Sequence, residues 1–145
     1  MSIEENKALF RRTYEEVFNQ GNFALADELV APDCINHEVP PGMPNRGPEA
    51  VRQPAMMLRA AFPDLHFTIE ELVAEGDTVV GRMTMSGTHQ GPFMGIAPTG
   101  HSVRQAQMHF VRFADGKGVE HRAVRDDLGL MQQLGVIPAP EHAGR

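Results

Sequence analysis

Apolar residues recur at helical spacing in the first part of the chain and alternate in the second. Ile3, Phe10, Tyr14, Val17 and Phe18 share one face of a helix. Ser2 followed by Glu5 has capping-box spacing, which starts that helix at Ile3. Asn19-Gln20-Gly21-Asn22 interrupts it. Asn22 is placed to cap a short second helix through Val30, whose Leu25, Leu29 and Val30 fold back onto the first; Pro32 ends it. Cys34 to Val39 reads as a short strand, followed by a loop rich in proline and glycine from Pro40 to Pro48. A third helix opens at Gly47-Pro48-Glu49, with proline in the first turn and an acid at the positive end of the dipole. Pro54 falls inside it. Its missing N–H and its collision with the Ala50 carbonyl either kink the helix or mark its true first turn. Met57, Leu58, Ala61 and Phe62 continue the apolar face until Pro63.

From Leu65 the period becomes two. Leu65 to Val73 and Thr78 to Thr88 read as antiparallel strands joined by the tight-turn composition Glu75-Gly76-Asp77. Gly91 to Gly100 is a loop of prolines and glycines that also carries Phe93, Met94 and Ile96. It reads either as a lip over a pocket or as a plain packing loop. Ser102 to Ala114 and Gly118 to Val124 form two further strands around Asp115-Gly116-Lys117, and Arg125 to Leu134 closes the chain as a helix. Three helices followed by a run of strands predict an α+β domain, with the helices packed over a curved antiparallel sheet. A strongly curved sheet with helices across its mouth encloses a cavity suited to a small molecule.

Composition narrows the partners. A chain of 145 residues fits a single domain spanning residues 1–145. Nine methionines, no tryptophan and one tyrosine suggest a soft, adaptable interior. The net charge of −6, with no basic stripe, argues against nucleic acid as a partner. The single cysteine, Cys34, excludes an internal disulfide framework and reads as a buried apolar group. The residues from Met1 to Asn19 are charged and amphipathic, and no apolar run approaches the ~20 residues of a membrane span. The expectation is a soluble, cytoplasmic protein with no membrane partner.

Candidate chemistry concentrates between Ser102 and Leu134. His109 shares a strand face with Val103, Gln105, Gln107, Val111 and Phe113. A neutral imidazole among apolar groups suits a general base or hydrogen-bond donor, with Gln107 positioning the substrate. His121 shares the face of Ala123 on the next strand, while Arg122, Val124 and Asp126 point the other way. His37, in Asn36-His37-Glu38, precedes a flexible loop and can face the mouth of the cavity; His89 and His101 bracket the lip loop and read as exposed. Asp126 and Asp127 precede a helix, so one of them is the expected N-cap and the other is free to pair with Arg125 or Arg122. Asp126 reaches the cavity only if the strand ends or bulges near Val124. Seven scattered histidines without a Cys or carboxylate cluster do not predict a metal site.

The order of elements resembles the nuclear-transport-factor-2-like cone. Gly87 to Gly100, Gln107-Met108-His109, Glu120-His121 and Leu128 to Gly135 resemble the SnoaL-like polyketide cyclase, or ester cyclase, family. The resemblance implies cofactor-free closure of a polyketide ring by intramolecular aldol condensation, and a homodimer paired through the open sheet face. It also implies a carboxylate acting as acid/base, with a glutamine and a histidine that carry over onto Gln107 and His109. The carboxylate does not carry over: Ala123 stands at its position, and Arg122 stands where many relatives have an aromatic residue. The leading expectation is acid/base enolate chemistry with His109 and Asp126 as catalytic residues and Gln107, His37 and His121 binding substrate. Two alternatives stay open. One is a cofactor-independent hydroxylase of the same family; the other is a ligand-binding protein that has lost its base, for which Ala123→Asp is the discriminating variant.

Overall fold

The computed structural model describes residues 2–140; Met1 and residues 141–145 lie outside that description. Helix α1 (Ile3–Arg12) starts where the sequence places it. Ser2 accepts from the Glu5 N–H and the Glu5 carboxylate accepts from the Ser2 N–H, so the capping box is complete. The chain then widens into a π-helical segment, Thr13–Asn19, which periodicity alone does not reveal. Its first residue donates its hydroxyl to the Leu9 carbonyl at 3.0 Å, competing for an acceptor of the helix ladder. Local π-winding of this kind is frequent at functional sites, and here it carries Tyr14.

The second helix is shorter than expected. A 3-10 turn at Phe23–Leu25 leads into α2 (Ala26–Leu29), and Asn22 makes no side-chain cap. Val30 already belongs to β1 (Val30–Asn36), because it pairs in parallel with Gly118 near the other end of the chain. Pro32 lies within this strand rather than ending a helix. The strand is at the sheet edge, where a residue without an N–H is tolerated. Helix α3 (Glu49–Ala61) continues past Pro54 without interruption and is capped at Phe62, before Pro63.

The remaining elements are β2 (His66–Glu75), β3 (Thr78–Thr88), β4 (Ser102–Ala114), β5 (Lys117–Arg125) and α4 (Asp127–Leu134). They build one five-stranded sheet in the order β1-β5-β4-β3-β2, antiparallel except for the β1–β5 pair. Register shifts leave one extra residue in β2, Glu70, and one in β5, Val119, the arrangement by which bulges bend a strand. At Asp115-Gly116 both residues have positive φ (51° and 78°), the hairpin geometry that makes Asp-Gly a favoured pair.

The helices cover the concave face. Phe10, Tyr14, Val17 and Phe18 from the first helical segment join Phe67, Met83, Met85 and Phe113 of the sheet in one core. Gly81 makes this approach possible: a Cβ there would sit 2.4 Å from Cζ of Phe10. Gly81 pairs with His109, so this close helix–sheet contact lies beside the polar row of β4. Among the described residues, no helix is long and apolar enough to cross a membrane.

Candidate active site

Strand β4 alternates as predicted. Val103, Gln105, Gln107, His109 and Phe113 are buried, whereas Arg104, Met108 and Phe110 between them are exposed. On β5 the inward row is His121, Ala123 and Arg125. Ala123 lies opposite His109, and Arg125 lies opposite Gln107. Gln105, Gln107, His109 and Phe113 of the first row and His121 and Arg125 of the second line a cavity of about 320 Å³ between the sheet, the π-helical segment and α3, at the lower end of the range for small-molecule sites. Phe93 and Met94 of the lip loop contribute to its wall, with Phe93 packed on Phe62 at 5.4 Å.

The polar groups of the wall form one continuous hydrogen-bonded chain, and Pro54 explains one end. Its missing N–H leaves the Ala50 carbonyl without its helical donor, and the Asn36 side-chain amide donates there at 2.8 Å. The Asn36 carbonyl oxygen accepts the Glu38 backbone N–H at 2.9 Å. A carbonyl that only accepts and an N–H that only donates fix the orientation of Asn36. Its oxygen also accepts from Nδ1–H of His121 at 2.6 Å, so the second nitrogen of a neutral His121, Nε2, is an acceptor.

The other end is fixed by a carboxylate. Asp127 accepts from the Gln105 amide at 3.0 Å, Gln105 accepts from the Gln107 amide at 2.7 Å, and Gln107 accepts from Nε2–H of His109 at 2.6 Å. A neutral His109 therefore presents a lone pair at Nδ1. The two arms meet at this point: Nδ1 of His109 and Nε2 of His121 are 2.8 Å apart, with ring centres at 5.1 Å and planes 27° from parallel. Two lone pairs face each other across a hydrogen-bond distance. The Tyr14 hydroxyl lies 2.9 Å from His109 Nδ1 and 3.5 Å from His121 Nε2, and it is the donor directed into that gap.

Burial sets the charge of this cluster. It pushes His121 down to about 3, with smaller effects from Arg125 and His37. Burial also holds His109 well below the ordinary histidine range, helped by His121 and Arg125. Desolvation raises the Tyr14 phenol, so it remains protonated. Cys34 lines the same cavity, but burial raises its thiol to about 11, which leaves it a poor nucleophile at neutral pH. The resting centre is thus two neutral imidazoles with a phenol donor. Adding one proton creates an N–H···N bond between the rings, replacing lone-pair repulsion with attraction, and spreads the charge over both. The arrangement can accept a proton from a ligand and return it.

The structure brings Gln107, His109 and His121 together, as parity predicts. It does not bring Asp126 or His37 to them. Asp126 is the N-cap of α4: its carboxylate accepts the Gly129 N–H at 2.9 Å and lies outside the cavity wall. A Cβ at Gly129 would meet that carboxylate at 2.3 Å, so the glycine serves the cap. Strand β5 ends at Arg125 without the bulge that Asp126 needs to turn inward. His37 follows β1 and points outward, with Nε2 2.9 Å from Glu120, because alternation gives the inward place to Asn36. His89 corrects the expectation of exposure: it is fully buried against Phe62, with Thr99 at its Nδ1, whereas His101 is exposed. Neither aspartate pairs with Arg125 or Arg122; Arg122 pairs with Glu120, and Asp127 takes the Gln105 amide. Among the described residues, no three His, Cys, Asp or Glu side chains converge to hold a metal; His142 lies outside them.

Comparison with known proteins assigns the scaffold. The family model for SnoaL-like polyketide cyclases matches residues 8–134. The chain belongs to the SnoaL-like polyketide cyclase family. Nogalonic acid methyl ester cyclase from Streptomyces nogalater is 33% identical over 88% of this chain and 95% of that protein. Among solved structures, TsrD from Streptomyces laurentii superposes with a TM-score of 0.86 at 28% identity, covering 94% of this chain and 99% of that one. AclR, a candidate hydroxylase from Streptomyces galilaeus, superposes at 0.82 with 32% identity, covering 97% and 88%. The neighbours are SnoaL-like structures of the nuclear-transport-factor-2 fold, in agreement with the α+β cone expected from the sequence.

Proposed function

We propose that the protein is an enzyme that closes a ring in a hydrophobic, polyketide-like ester by acid/base enolate chemistry, with His109 as the base. The observation that carries this reading is the pair of imidazole nitrogens facing each other at 2.8 Å in the cavity wall, beneath the Tyr14 hydroxyl. His109, backed by His121, removes a proton from carbon next to a carbonyl. The enolate carbon then attacks a second carbonyl of the same molecule, and the resulting alkoxide takes the proton back. Protons and electrons balance without an oxidant. Tyr14 links substrate and imidazole by accepting the substrate proton as it hands its own to His109, so no phenolate forms. Arg125 lines the wall beside this centre and is half-buried; its guanidinium is the cation facing the developing enolate oxygen. Gln107 is a positioning residue that holds His109 at Nε2.

The esters in the names of the curated relatives support a methyl ester of an aromatic polyketide as the substrate class. Likeness to AclR favours one second reading, in which the substrate's own enolate reacts with oxygen. Incubation with such an ester separates the two: ring closure without oxygen uptake is expected. His109→Ala lowers turnover about 100-fold or more while the fold persists; an equally active variant overturns the assignment. A homodimer is part of the proposal. Met108, Phe110 and Val124 project together from the outer sheet face, about half exposed or more (46%, 51% and 69%), and a second copy is the partner that would cover them.

A further inference from the structure

The two ends of the hydrogen-bonded chain are not equivalent. Asn36 is fixed by backbone groups, which cannot reverse their roles. Gln105 and Gln107 are primary amides, which present a donor or an acceptor with almost the same shape. Their orientation is decided by Asp127, which as a carboxylate only accepts. A weak contact from the Gln107 amide to the Met85 sulfur, at 3.7 Å, points the same way.

Reversing both glutamines would relieve the centre. The Gln107 amide would then donate to Nε2 of His109, Nδ1 would carry the hydrogen, and Nδ1–H would donate to Nε2 of His121. Every group from Gln107 to Ala50 would be satisfied, with no facing lone pairs. The reversed chain ends, however, with the Gln105 carbonyl oxygen against the Asp127 carboxylate, two acceptors 3.0 Å apart. The repulsion is therefore placed either at Asp127 or at the histidines, and the observed geometry places it at the histidines.

We propose that Asp127 is a remote positioning residue that, through Gln105 and Gln107, holds His109 in the tautomer whose Nδ1 lone pair is free to take a proton. It supplies from the start of α4 the carboxylate that position 123 lacks, acting through two amides instead of touching the substrate. Asp127 is the first residue of α4, two residues past the end of β5, and it lines the same cavity as His121 and Arg125. Its usefulness to turnover rests on the reading of His109 as the base; its effect on the tautomer does not.

The test is heteronuclear NMR of protein labelled in the histidine rings, which reports the nitrogen that carries hydrogen. In the parent, His109 is expected to carry it at Nε2 and His121 at Nδ1. In Asp127→Asn the new side-chain amide donates to Gln105, both glutamines turn over, and the His109 hydrogen moves to Nδ1. Gln105→Met, which cuts the relay but keeps Asp127, moves it as well. His121 stays at Nδ1–H in every variant because Asn36 holds it, which serves as an internal check on folding. A His109 hydrogen already at Nδ1 in the parent, or one that stays at Nε2 in Asp127→Asn, overturns the proposal. A shift in Asp127→Asn but not in Gln105→Met overturns the relay in favour of a through-space effect. With the proposed substrate, Asp127→Asn lowers kcat with little change in KM. If the tautomer moves but turnover does not, the positioning claim stands and the choice of His109 as base fails.

Discussion

Acid should destabilise this fold well before its carboxylates titrate. The perturbation is a fall in pH from 7.5 to 5. His121 has an ordinary value of 6.5 and is held at about 3 in the folded protein, first by burial and then by Arg125 and His37. Between those values the unfolded chain binds a proton that the folded one refuses. The stabilisation is therefore fully present above about pH 6.5 and is lost as the pH falls toward 3. At pH 5 the unfolded ring is about 1.5 units below its midpoint, which at ~1.36 kcal/mol per unit gives about 2 kcal/mol from His121 alone. His109 is depressed by the same burial and adds to the loss. The depressed carboxylates of Glu5, Glu49, Asp64 and Glu120 act in a lower window, because their stabilisation is present above their ordinary values of 4.5 or 3.8. Urea unfolding at pH 7.5, 6 and 5 measures the effect. With an m-value of about 2 kcal/mol per molar, the midpoint drops by about 1 M or more by pH 5. A midpoint unchanged across this range would refute the buried neutral pair.

Three further variants probe separate parts of the structure. Asp126→Ala removes the N-cap of α4 and costs about 1 kcal/mol in unfolding free energy, with ring closure retained; loss of turnover at unchanged stability would return Asp126 to the chemistry. Arg125→Met removes the cation that the proposed reaction sets beside its enolate, and steady-state kinetics should show kcat down by about 100-fold. It also raises both histidines, since Arg125 helps to depress each, and ring-proton NMR titration follows that shift. Phe110→Asp places charge on the outer apolar face, and light scattering should report a dimer for the parent and a monomer for the variant.

Legibility differed by element. Strands β3 and β4 were readable because alternation is a local signal, and the same parity placed Gln107, His109 and His121 in facing rows. Strand β1 is readable only over Cys34 to Asn36; its first half, Val30 to Asp33, is not, because its parallel partner lies far along the chain and its proline reads as a helix stop. Tyr14 falls on the apolar face of its helix, where periodicity gives it no role beyond packing. The useful signal was its being the single tyrosine in an otherwise apolar row, with a hydroxyl that needs a partner once buried. Asn36 could be found only through Pro54, whose freed carbonyl asks for a donor from another element. Asp127 and Asp126 both read as caps, and no local rule separates the one that caps Gly129 from the one that reaches Gln105. Ala123 was legible as a missing acid, but its consequence required the hydrogen-bonded chain.

The central claim is that proton transfer runs through His109 and not through a carboxylate touching the substrate. Incorporation of deuterium from heavy water at the carbon next to the carbonyl of an aromatic polyketide methyl ester measures that step directly, whether or not a ring closes. The parent protein should catalyse the exchange, and His109→Ala, still folded and still binding the ester, should not exceed the uncatalysed rate. Exchange by His109→Ala as fast as by the parent would contradict the account.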